Sequence, residues 1–106
     1  MIFIYSTFPN RKEVKEIGEK LVRNKLAACL NIFPIELIYF WQGKIVEDKE
    51  FATIIKTKKE NFQKIEKFIL KNHSYDTPCI LEIPIGRVAE KYLKWINKNV
   101  ESSKKK

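Results

Sequence analysis

From Ala27 to Lys58 the chain is dominated by β-branched and aromatic residues on both sides of Gly43, with Tyr39-Phe40-Trp41-Gln42-Gly43-Lys44 at the centre. This is the chemistry of a pleated, half-buried surface. The pattern predicts one long β-hairpin turning at Gln42-Gly43, where glycine is free to take positive φ. Arms of about fourteen residues at roughly 3.3 Å each span on the order of 45 Å. A compact domain of this length has a radius of gyration of about 13 Å, so the hairpin is expected to overhang its own core. Overhanging aromatics need burial, and a second chain is the expected cover.

Around the hairpin the apolar spacing alternates between strand and helix. Ile2 to Phe8 is a short apolar run ended by Pro9, read as a central strand. Asn10 with Glu13 forms an N-cap with a capping-box partner, and Val14, Ile17, Leu21 and Val22 repeat at helical spacing, predicting a helix from Arg11 to Lys25. Leu26 to Phe33 reads as a strand interrupted by Pro34 and resumed from Ile35 to Trp41. A proline there implies an edge strand with a kink. The returning arm starts at Lys44, passes the acidic patch Glu47, Asp48 and Glu50, and is apolar again from Phe51 to Ile55. Thr57-Lys58-Lys59-Glu60 reads as a second capping box, opening a helix from Lys58 to Asn72. His73 to Pro78 is a loop, Cys79 to Ile85 a last core strand, and Ala89, Tyr92, Leu93 and Ile96 mark a short third helix.

The order β-α-β-β-α-β plus a C-terminal helix is that of an α+β, ferredoxin-like split βαβ fold. Both major helices are placed on one face of an antiparallel sheet and the other face is left open. An open apolar face and a projecting aromatic hairpin invite closed self-association. Residues 1–98 are read as one domain and 99–106 as a Lys-rich C-terminal tail.

Composition narrows the function more than the fold. The chain has 106 residues, 44% hydrophobic and 32% charged, as soluble globular proteins do. No apolar run approaches membrane-spanning length and the opening lacks a basic n-region, so a cytoplasmic location without a membrane partner is expected. Net charge is +8, with Lys104, Lys105 and Lys106 supplying three of those charges. The remaining lysines are interleaved with glutamate along every element, which reads as a solvated surface. The acidic patch in the hairpin would repel phosphate, and no stacking RNP1-type run appears, so nucleic acid is not expected as a partner. Cys29 and Cys79 stand fifty positions apart without CxxC spacing, which argues against a zinc knuckle or a disulfide framework.

A single histidine excludes most catalytic constellations, and there is no P-loop, G-x-G-x-x-G or G-x-S-x-G. His73, at the end of the second helix, has two readings: a cation favoured by the helix dipole, or a metal ligand joined by Cys79 or by a carboxylate of a neighbouring chain.

Five motifs in order, Ala27-Ala28-Cys29-Leu30-Asn31-Ile32, Tyr39-Phe40-Trp41-Gln42-Gly43-Lys44-Ile45, Ile55-Lys56-Thr57, His73-Ser74-Tyr75-Asp76-Thr77-Pro78 and Tyr92-Leu93-Lys94-Trp95-Ile96, resemble the CutA family of divalent-cation tolerance proteins over residues 2 to 97. The resemblance implies a homotrimer in which hairpins wrap adjacent subunits, with Tyr39, Trp41 and Gly43 in the hairpin interface. It also implies a cytoplasmic location, an association with copper and other divalent cations, and no established enzymatic reaction. Trp41, Lys56 and Tyr75 match family positions near an intersubunit cleft. Some bacterial members carry a cysteine on strand one and a pair of histidines where this chain has Ser6, Asn72 and His73. Ser74 replaces the family's usual proline, and Cys79 stands where glutamate is common. The metal candidates are therefore His73, then Cys79, then Cys29 as a remote third. Two other readings stand beside this one: a PII-like sensor binding an anionic metabolite through Lys56, and a protein-anchoring scaffold.

Overall fold

The computed structural model describes residues 1–101. Strand β1 (Ile2–Phe8) leads into helix α1 (Arg11–Arg23), followed by β2 (Cys29–Trp41) and β3 (Lys44–Thr57). A 3-10 turn (Lys59–Asn61) opens α2 (Phe62–Asn72), and β4 (Ile80–Pro84) and α3 (Glu90–Asn99) complete the chain. The four strands form one antiparallel sheet in the order β2-β3-β1-β4. This is the expected α+β, ferredoxin-like arrangement.

Burial follows the pleat. Even-numbered residues of β1 are buried and odd-numbered ones are half-buried, because successive side chains point to opposite faces. Ile2, Ile4 and Phe8 pack with Ile55, with Val14, Ile17 and Leu21 of α1, and with Ile65 and Ile69 of α2. The core therefore lies between the two helices and one face of the sheet. Val22, expected in the apolar stripe, is largely exposed.

The hairpin is longer and more regular than its proline implies. Its register runs without slippage from Cys29↔Lys56 to Trp41↔Lys44, and Pro34 sits opposite Phe51. The edge position is as expected, but there is no interruption: an outer strand pairs on one side only, so a missing N–H is tolerated there. Gln42 and Gly43 both have positive φ, 49° and 77°, as in the tight turns that match strand twist. The molecule is 46 Å along its longest axis with a radius of gyration of 14.8 Å. Near the hairpin tip Ile38 is 70% and Phe40 68% exposed, so the overhang and its uncovered apolar surface are real.

Three other expectations are corrected. The second capping box does not form: Thr57 is the last residue of β3, and its hydroxyl donates to the Leu26 carbonyl at 2.6 Å. The last strand is not a core strand, since β4 lies at the outer edge beside β1 and Leu81 and Ile83 are exposed. The open face is also not wholly open. Tyr92 of α3 reaches Lys56 and Cys29, which belong to the face opposite the core, and Ile96 and Val100 pack on Ala28. Order continues past residue 98, because Val100 is buried and the Glu101 N–H donates to the Lys25 carbonyl. The rest of the expected Lys-rich tail lies outside the described residues.

Candidate functional site

His73 follows the last residue of α2, and its backbone N–H closes the helix on the Ile69 carbonyl at 2.8 Å. Its side chain is fully buried and stacks on Phe8 with ring centroids 4.5 Å apart. Nε2 lies 2.7 Å from the Thr7 carbonyl, and the Tyr75 N–H donates to Nδ1 at 3.0 Å. A carbonyl only accepts and an amide N–H only donates, so these partners assign a neutral ring with its proton on Nε2. Both nitrogens are thereby engaged, and a metal at either has to displace a hydrogen bond.

Glu13, expected to close the capping box on Asn10, sends its carboxylate to the same loop. Asn10 Oδ1 accepts the Glu13 N–H at 2.9 Å, while Glu13 Oε2 accepts the Ser74 N–H and hydroxyl at 3.1 and 3.2 Å. That oxygen lies 3.4 Å from His73 Nδ1. The loop after α2 is thus fastened to β1 through His73 and to α1 through Glu13.

Beyond the fastened loop lies a cleft of about 760 Å³ between the loop, the hairpin and β1. Three of its lining residues are acidic, Asp48, Glu50 and Asp76, and three are aromatic, Tyr39, Trp41 and Tyr75. The Tyr75 hydroxyl donates to Glu50 Oε2 at 2.6 Å. Burial, and then this bond to Glu50, push the Tyr75 pKa well above its ordinary value. Cys79 also lines the cleft, and its backbone carbonyl accepts the Ser6 hydroxyl at 2.6 Å. Burial, with a smaller contribution from Glu50, raises the Cys79 pKa, which keeps the thiol protonated and weakens it as a ligand.

Cys29 and Lys56 lie elsewhere. They face each other across β2 and β3 at the far end of the hairpin from its turn. Lys56 Nζ donates to the Tyr92 hydroxyl at 3.1 Å, and Cys29 Sγ is 3.8 Å from the same oxygen. The Tyr92 bond raises the Lys56 pKa against the opposing effect of burial. The structure thus unites Tyr39, Trp41, Tyr75 and Cys79 in one cleft, sets His73 behind the cleft wall, and leaves Cys29, Lys56 and the turn residue Gly43 outside it.

A family model described as CutA1 divalent ion tolerance protein matches residues 2–99. The chain belongs to this family. A divalent-cation tolerance protein CutA of Archaeoglobus fulgidus is 46% identical over 99 residues, covering 93% of this chain and 97% of that protein. Its solved structure, described as a periplasmic divalent cation tolerance protein, superposes with a TM-score of 0.91 at 46% identity, covering 95% of this chain and all of that one. CutA1 of Pyrococcus horikoshii superposes with a TM-score of 0.91 at 34% identity over 96% of this chain and all of that one.

The CutA1 family name directs attention to divalent cations. Among the described residues, no three of His, Cys, Asp and Glu stand close enough together to hold a metal ion. No described helix is long and apolar enough to cross a membrane. Sequence reasoning missed the cleft acids as a group. Their signal was the pleat: Asp48 and Glu50 are two apart on β3 and oppose Leu37 and Ile35, so they share a face with Tyr39 and Trp41.

Proposed function

We propose that this chain acts in divalent-metal response as a homotrimeric CutA-type protein, with weak cation binding shared between subunits and no catalysis. The observation that carries the proposal is the acidic cleft under a hairpin that extends past its own core. It places Asp48, Asp76 and Cys79 around a space that a second chain would close, while no three of His, Cys, Asp and Glu among the described residues stand close enough to hold a metal ion. Family membership supports the divalent-cation class.

Copper is the proposed cation among the divalent ions, because a thiol and an imidazole favour it over magnesium. Cys79 is the better placed soft ligand. His73 would join only by giving up its bond to Tyr75 or Thr7, and Cys29 would contribute only across a different boundary. The proposed location is the cytoplasm. Lys56 stands apart from the cleft and is covered by Tyr92, which weighs against an anion-sensing role.

Copper titration of the reduced protein by calorimetry, beside Cys79→Ala, Asp48→Asn and His73→Ala, tests the site. The proposal expects Cys79→Ala and Asp48→Asn to weaken binding. Identical isotherms for all four proteins would sink the assignment.

A further inference from the structure

We infer that the cleft beneath the hairpin is a binding site for a small organic ammonium ion, an aliphatic diamine or polyamine, held by Glu50, Asp48 and Asp76 against the faces of Tyr39, Trp41 and Tyr75. The inference concerns the same cleft as the metal proposal and is argued from that cleft's size, charge and lining.

Size is the first argument. The cleft encloses about 760 Å³. Pockets of about 300–1,000 Å³ are those that take small molecules.

Charge is the second. Three carboxylates line the cleft and no Lys, Arg or His does, on a chain whose formal net charge is +8. A concave surface of one sign concentrates counter-ions of the other. Anionic ligands are disfavoured there.

The state of Glu50 is the third and most specific. The residue is only 9% exposed, and its Oε2 accepts the Tyr75 hydroxyl. Among the described residues its other oxygen makes no hydrogen bond and no fully buried side-chain oxygen lacks a partner, so that oxygen keeps some contact with solvent. A largely desolvated carboxylate with a spare acceptor gains from a charged N–H donor. An ammonium group has three such donors, and Asp76 and the second oxygen of Asp48 supply further acceptors. Aromatic faces add cation–π attraction and cover the methylenes of an aliphatic chain.

The test is calorimetric titration of the full-length protein with 1,4-diaminobutane and, in parallel, with 1,4-butanediol and succinate. Saturable binding of the diamine alone is expected, weakened about tenfold in Glu50→Gln and in Asp76→Asn by loss of a charge-assisted bond. Asp76 is an exposed loop residue, so its variant remains informative if Glu50→Gln fails to fold. No saturable diamine binding, equal binding of butanediol, or affinity unchanged in Asp76→Asn and in any folded Glu50→Gln overturns the inference. A structure of the assembled protein with a neighbour's side chain filling the cleft overturns it as well. Copper binding without diamine binding removes this inference and leaves the metal proposal standing, while the reverse result does the opposite.

Discussion

His73 Nε2 and the Thr7 carbonyl are joined at 2.7 Å across sixty-six residues of sequence, and this bond fixes the loop after α2 to the central strand. With Tyr75 on the other nitrogen, the imidazole bridges β1 and the cleft wall. Replacing it with alanine removes two partly buried hydrogen bonds and the ring stacked on Phe8. His73→Ala is expected to cost about 2–4 kcal/mol, read from denaturant unfolding at fixed protein concentration. Wild-type stability in that variant would show that the ring is not structural.

Tyr75 and Glu50 give a pH signature. Burial, and then the bond to Glu50, raise the folded-state pKa of Tyr75 above its ordinary value, so the folded protein keeps a proton that the unfolded chain loses. The associated stability is fully present below about pH 10 and falls as pH rises toward the folded value. Tyr75→Phe should therefore flatten the alkaline limb of the stability–pH curve. Superimposable limbs for the two proteins would rule out this linkage.

Cys79 is expected to alkylate slowly. Its thiol pKa is raised by burial and then by Glu50, and the thiolate is the nucleophile. At pH 8 its modification by iodoacetamide, followed by mass spectrometry, should lag behind that of a free cysteine peptide. Removing the carboxylate charge in Glu50→Gln should speed it. A rate equal to that of the peptide would contradict the half-buried placement of the thiol beside Glu50.

Gly43 is constrained by conformation alone. It sits at φ +77°, and a Cβ added there meets nothing within 4 Å. Gly43→Ala should cost about 1 kcal/mol, the price of the left-handed region, with no packing defect to add. A stabilised Gly43→Ala protein would mean that the turn differs from a pair of positive-φ residues.

The hairpin, the first helix and the element order were legible because each rests on local periodicity. Ile2 to Phe8 and Gln42-Gly43 carry their own signals in adjacent residues. The two capping boxes show where local reading stops. Asn10 caps α1 as its spacing implies, whereas Thr57 has the same spacing and is claimed by β3 and the Leu26 carbonyl. His73 illustrates the same limit in the site. Its type and position were visible, but its partners include Thr7 and, through Ser74, Glu13, which only the fold brings near. Asp48 and Glu50 read as a surface patch until the strand register turned them toward Tyr75.

The central claim, that cation sites in this CutA-family chain are shared between copies, is tested most directly by a crystal structure of the full chain grown with copper. The account predicts three chains around a threefold axis, with the metal at a boundary, Cys79 among its ligands and donors from two chains. A monomer, or copper held wholly within one chain, would contradict it.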